Sequence, residues 1–142
     1  MHATIYTLGY SKVKIEDLET VIRRDELIVI DTRFNPYSPN PAWRKGALAK
    51  RLGDHYRHVH AFGNRLYKQG GIELVDVAAG IEQVLPLLEK GVSIVLLCAC
   101  ADITTCHRRV VAEALAEASG CPVVHWTPDD LRPMQQAGLF DP

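Results

Sequence analysis

The stretch that decides the fold is Val92-Ser-Ile-Val-Leu-Leu97, which leads through Cys98-Ala-Cys100-Ala-Asp-Ile-Thr-Thr105 into Cys106-His-Arg-Arg-Val-Val-Ala-Glu-Ala-Leu-Ala-Glu-Ala-Ser119-Gly120. Its first part is almost wholly apolar, the pattern of a strand buried on both faces. Its last part repeats Val110, Val111, Ala114, Leu115 and Ala118 at helical spacing and stops at Gly120, a residue suited to a helix end. A doubly buried strand that feeds a helix belongs to a parallel sheet with helices on its faces.

The same alternation extends outward. Leu27-Ile-Val-Ile30 is a second continuous apolar run, closed by Asp31-Thr-Arg33. Thr4-Ile-Tyr-Thr-Leu8 is a short strand ended by the turn Gly9-Tyr10-Ser11, after which Ile15, Leu18, Val21 and Ile22 recur at helical spacing. Residues 34–41 carry Pro36, Pro39 and Pro41 and read as loop; 43–52 read as a basic helix ending before Gly53. A weaker strand is expected at 56–60 and a loop at 64–71. A helical stripe follows, from Leu74 through Val77, Ala78, Ile81, Val84 and Leu85 to Leu88, which Pro86 is expected to kink or break. A last strand at 122–126 precedes Thr127-Pro-Asp-Asp130, a good helix start. The expectation is one α/β domain over residues 1–142. It would be a three-layer α/β/α sandwich with a mostly parallel sheet of about five strands, Rossmann-like or flavodoxin-like. Strand order is not legible in the sequence.

A chain of 142 residues can bury roughly two-thirds of its unfolded surface. It has no apolar run long enough to span a bilayer and no secretory signal at its start, so a cytoplasmic protein without membrane attachment is expected. The four cysteines, Cys98, Cys100, Cys106 and Cys121, fall late in the chain and do not read as a disulfide framework. The net charge of −1 conceals an asymmetry: residues 33–68 hold eight basic side chains against Asp54 alone. An anionic ligand near this segment is favoured. The plainer reading is a solvated face with snorkelling lysines.

In open α/β sheets, ligands bind beyond the carboxyl ends of the strands, and the unusual residues of this chain fall there. They are Gly9, Tyr10 and Ser11; Asp31 and Arg33; His60; the run Cys98 to Arg108; and His125. Cys106, at the start of a helix beside His107 and Arg108, is the expected nucleophile, with His107 or His125 as base. Arg33 offers a forked contact to phosphate or carboxylate while Asp31 orients it or acts as base. Plainer roles exist for each: Cys98 as a small buried hydrophobe, His107 as a core histidine, Asp31 and Arg33 as an internal ion pair anchoring the proline-rich loop. The loop of tyrosine phosphatases and rhodaneses, Cys-x5-Arg, is absent. No cofactor is expected from the motifs. The alternative is zinc or iron held by Cys98, Cys100, Cys106 and His107, whose spacing is not a recurrent zinc pattern. A Cys100–Cys106 disulfide is a further alternative.

Thr4-Ile-Tyr-Thr-Leu-Gly-Tyr-Ser11, Ile30-Asp-Thr-Arg33 with Asn35-Pro-Tyr-Ser38, Leu97-Cys98, Cys106-His-Arg108 and Val124-His125 together resemble domain-of-unknown-function family 488. The resemblance implies a compact α/β domain of bacteria and archaea with a site of unassigned chemistry. By position it matches Gly9, Ser11, Asp31, Arg33, Pro36, Ser38, Cys98, Cys106, His107, Arg108 and His125. Two departures stand out: Cys100 where members usually carry glutamate, and Pro39 where they often carry arginine.

Three functions remain open at this point. The first is an enzyme with an anion-binding, thiol-containing site, acting on a phosphorylated or nucleotide-like ligand. There Cys106, His107 and Asp31 would do the chemistry, and Gly9, Tyr10, Ser11, Arg33, Ser38, Arg108 and His125 would bind. The second is a nucleic-acid-associated protein using residues 33–68, with Trp43, Tyr56 and Tyr67 available for stacking. The third is a metal-binding domain built on the cysteine and histidine cluster. Oligomeric state is not readable.

Overall fold

The computed structural model describes residues 3–100 and 102–131. Five segments become strands: β1 (Ile5–Gly9), β2 (Ile28–Asp31), β3 (Tyr56–His58), β4 (Ile94–Cys98) and β5 (Val123–Trp126). All pair in parallel in the order β3-β2-β4-β1-β5. The doubly apolar runs take the centre: β4 is buried at every residue and β2 at three of its four. The half-polar β3 lies at one edge and β5, with Val124 exposed, at the other.

The helices are α1 (Ile15–Asp25), α2 (Lys45–Leu52), α3 (Val77–Glu89), α4 (His107–Ser119) and α5 (Pro128–Leu131). Side chains from α1, α2 and α5 share one core with Leu8, Val29, Val95 and Leu97. Those from α3 and α4 share another with Ile5, Ile30, Ile94 and Leu96. Alternate residues of each strand thus face opposite layers, and the result is an α/β sandwich of three layers. The chain leaves β1 and β2 for one face, and leaves β3 and β4 for the other. The carboxyl end of β4 therefore lies between two strands whose following segments turn away from its own, which opens a crevice there.

Several local expectations are corrected. Leu74 lies outside α3, because Asp76 caps that helix by accepting a hydrogen bond from Ala79 N–H, and Leu74 instead bridges Asn64. Pro86 does not end α3, which continues to Glu89. Both Pro86 and Glu82, whose carbonyl loses its helical donor, are exposed, so water can satisfy that carbonyl. Trp43 belongs to a short 3-10 turn, Pro41–Trp43, rather than to α2. The buried residues of α4 are His107, Arg108, Val111, Ala112 and Leu115, with Ala118 exposed. The bulk of Leu115 sets the inward face, since alanine is small enough to sit on either side. Among the described residues, no helix is long and apolar enough to cross a membrane.

Gly80 of α3 packs directly on the buried ring of Phe62: a Cβ there would lie 2.9 Å from Cζ and closer still to two other ring carbons. Helix propensity favours alanine over glycine by about 1 kcal/mol, but overpacking a rigid core costs about 1–3 kcal/mol. The clash wins, because Phe62 is fully buried and has nowhere to move. Gly80→Ala is expected to lower the denaturant midpoint; a stabilised variant would show that Phe62 yields.

Candidate functional site

The end of β2 carries a buried ion pair. Arg33 Nε and Nη2 donate to the two oxygens of Asp31 at 2.8 and 2.6 Å, and the Arg33 amide donates to Oδ1 at 3.1 Å. The Tyr56 hydroxyl donates to Oδ2 at 2.5 Å, and Arg33 Nη1 reaches the Tyr10 hydroxyl at 3.0 Å. Tyr10 in turn stacks on Trp43 with centroids 4.4 Å apart. Burial works against the Arg33 charge, but the Asp31 carboxylate outweighs it and pushes the guanidinium pKa up. Burial and then the Asp31 charge push the Tyr56 phenol well above its usual range, so it stays a donor. Removing one partner from such a pair strands the other charge in the interior.

Thr32, between them, turns the opposite way. Its amide and hydroxyl both donate to the Leu97 carbonyl, at 3.0 and 2.9 Å. Its own carbonyl is 2.8 Å from His107 Nε2. A carbonyl only accepts, so Nε2 carries a proton, and in neutral His107 the lone pair is on Nδ1. Nδ1 faces Cys98 Sγ at 3.7 Å, with both residues buried. Burial acts to raise the Cys98 pKa; the hydrogen bond and charge of His107, the Cys100 amide and Arg108 outweigh it and bring the thiol below its ordinary value. The reciprocal holds for His107: burial lowers its pKa, and Cys98 with the Thr32 carbonyl more than offsets this.

Beyond Cys98 the chain loops back to α4, held by a Cys100–Cys106 disulfide with Cα atoms 6.2 Å apart. Asp102 shapes the return by accepting from the amide and hydroxyl of Thr104 at 2.9 and 2.6 Å. Arg108 is buried; it donates to the Cys100 carbonyl and, at 3.3 Å, to the Thr7 hydroxyl. Thr7 also meets His125 Nδ1 at 2.7 Å.

Cys98, Cys100, Cys106 and His107 line a cavity of about 500 Å³. Its other walls are Arg33, Phe34, Asn35 and Tyr37 on one side and Asn64, Leu66, Tyr67, Gly70 and Gly71 on the other. The second wall is a loop folded around Asn64, whose side-chain oxygen accepts from the amides of Leu66 and Glu73 while its nitrogen donates to the Gly71 carbonyl. Phe34 and Tyr67 approach with ring centroids 5.8 Å apart. A volume in this range suits a small organic ligand.

Of the residues singled out in the sequence, Asp31, Arg33, Cys98, Cys100, Cys106 and His107 converge. Cys106 is joined to Cys100, and the thiol that faces an imidazole is that of Cys98. Arg33 directs its fork at Asp31 and its remaining nitrogen at Tyr10. Tyr10, Ser11 and Ser38 line a neighbouring cleft of about 310 Å³, which shares Ala99 with the larger cavity. Gly9 pairs with Cys98 in the sheet, and His125 stands on the far side of Arg108. His60 is exposed beside Phe34. Of the basic segment, Arg33 is buried, Arg44 donates to the Ser38 carbonyl and Arg51 pairs with Glu19; Lys45, Lys50, Arg57, Arg65 and Lys68 are exposed.

Three features were not read from the sequence: the Tyr56 contact to Asp31, the Thr32 carbonyl behind His107, and the choice of Cys98 as that histidine's partner. Only the last had a signal, the placement of Cys98 at a strand end next to the helix start. The sulfurs of Cys98, Cys100 and Cys106 lie within 4.8 Å of one another. That is close enough for the three to share a metal ion when all are reduced; with Cys100 and Cys106 joined, Cys98 is left as the single free thiol of the group.

A parallel α/β sandwich with a cysteine–histidine pair and a buried aspartate–arginine pair at the carboxyl edge of its sheet defines the class. The model of the DUF488-N3a family, described as the active DUF488-N3 subclade, matches residues 11–119, and the chain belongs to that family. No curated protein and no solved structure matches the chain at a significant level.

Two outcomes are expected. The rate at which iodoacetamide labels Cys98 should be half-maximal at a pH below that of an ordinary thiol, about 8.5. His107→Ala removes the largest influence opposing burial and leaves only the Cys100 amide and Arg108, so the rate at pH 7 should fall about tenfold; an unchanged profile would break the pairing. Asp31→Ala should lose about 3–5 kcal/mol in denaturant unfolding, because Arg33 is left charged and unpaired.

Proposed function

We propose that the chain is an enzyme that works through the Cys98 thiolate, with His107 as its base, on a small anionic ligand of nucleotide type held in the cavity. One observation carries this reading: a free thiol at the cavity wall facing an imidazole whose other nitrogen is anchored on the Thr32 carbonyl. That is the arrangement nucleophilic catalysis needs, a nucleophile, a base and a group that orients the base. Cys98 gives its proton to Nδ1, its sulfur attacks an electrophilic carbon of the ligand, and the leaving group takes the proton back from Nδ1. Water or an acceptor then releases the bound group and restores the thiolate.

The ligand class follows from the walls. Phe34, Tyr37 and Tyr67 line the cavity with aromatic rings suited to a heterocyclic base, and Lys68, with its ammonium 5.6 Å from the Tyr67 ring centroid, adds positive charge beside that ring. With Arg33 committed to Asp31 and Tyr10, the anion would meet the rim rather than a buried fork. The family description as an active subclade agrees with an enzymatic role.

A panel of nucleosides, nucleoside 5′-monophosphates and inorganic phosphate, read by thermal denaturation, tests the reading. Monophosphates are expected to raise Tm by several degrees at saturating concentration. Inorganic phosphate alone should not, Tyr67→Ala should reduce the shift, and Cys98→Ser should keep it. The absence of a shift with every nucleoside and nucleotide would overturn the ligand class.

A further inference from the structure

Cys98 Sγ lies 3.6 Å from Cys100 Sγ, and Cys100 is already bonded to Cys106. The three sulfurs differ in what surrounds them. All three line the cavity, but Cys100 is half-buried whereas Cys98 and Cys106 are buried. Cys106 occupies the N-cap of the 13-residue α4, a position that no side chain caps. Negative charge is favoured there by the amides and dipole of the first turn. Arg108 Nη1 stands 3.7 Å from Cys100 Sγ.

We propose that Cys98, Cys100 and Cys106 form a disulfide-exchange site, reduced by dithiols, that switches the nucleophile on and off. This rests on the reading of Cys98 as nucleophile. In the internal step the Cys98 thiolate attacks Cys100 Sγ. The Cys98–Cys100 bond forms, the Cys100–Cys106 bond breaks, and the electron pair leaves on Cys106 at the head of α4. No net oxidation occurs; the bond moves by one sulfur, and Cys98 is capped. In the external step one thiolate of a dithiol attacks Cys100 from the cavity and displaces whichever cysteine it holds. The second thiol closes on the first, Cys100 leaves as thiolate, and the dithiol departs as a disulfide. Two electrons pass to the protein and all three cysteines become free. Attack on Cys100 fits the principle that exchange follows access and the stability of the departing thiolate. A capped Cys98 cannot attack a ligand, so movement of the bond to Cys98–Cys100 silences the site, and its return to Cys100–Cys106 or reduction by a dithiol frees the nucleophile.

The experiment equilibrates the full chain in buffers of stepped reduced-to-oxidised dithiothreitol ratio, quenches it with N-ethylmaleimide and maps the pairings by peptide mass spectrometry. The oxidised end is expected to hold two isomers, Cys100–Cys106 with Cys98 labelled and Cys98–Cys100 with Cys106 labelled. Both should disappear together as the reduced share rises. Cys98→Ser should leave only the first isomer and Cys106→Ser only the second, while the unsubstituted chain gives the answer even if a variant fails to fold. A bond confined to Cys100 and Cys106 at every ratio overturns the exchange, as does the absence of any bond among the three. Pulse labelling separates this from the parent reading: if Cys98 reacts faster than Cys121 while the bond never moves, only the exchange fails. A Cys98 that reacts no faster than Cys121 removes the nucleophile as well.

Discussion

The site depends on the carboxylate of Asp31, which has no exposure and four hydrogen bonds. A lone carboxylate in this interior would be prohibitively unfavourable, and the Arg33 fork makes it tolerable. Through its donors the group touches the ends of three strands: β2 directly, β3 through Tyr56, and the turn after β1 through Arg33 and Tyr10. Buried pairs of this kind add little net stability compared with apolar residues of the same size. What this pair does instead is fix the direction in which the chain leaves β2. That direction sets Thr32 against Leu97 and aims the Thr32 carbonyl at His107.

The strands and helices were legible because burial imposes simple periods. Val92 to Leu97 could only be a doubly covered strand, and Ile15, Leu18, Val21 and Ile22 could only be one face of a helix. The errors fell where the pattern was weak or local chemistry intervened. Alanine says little about which way α4 faces, and a capping aspartate starts α3 three residues after Leu74. Strand order was hidden because it is set by which loops can cross the sheet, a property of no single segment.

The place of the candidate site was legible for a related reason: ligands in open parallel sheets bind beyond the carboxyl ends of the strands, and several polar residues gathered at that edge. Their pairing was not. Three cysteines within nine residues allow several partners each, and the choice turns on shifts of one bond length in a loop. The arginine shows the same limit. A guanidinium beside a carboxylate two residues away can serve a ligand or its neighbour, and only the fold shows that Arg33 turns inward.

Asn64 carries a consequence of another kind. One buried amide gathers three backbone groups from Leu66, Gly71 and Glu73, and so helps to close a loop whose residues are otherwise mostly exposed. The segment between Arg65 and Gly71 is thus a separate panel, closed at its base by that side chain and by the Arg65 amide on the Glu73 carbonyl, and it carries Tyr67 into the cavity wall. Chains built on the same sheet can exchange or lengthen this panel without disturbing the cysteines behind it. On the proposed reading, ligand preference can then evolve separately from the chemistry of Cys98.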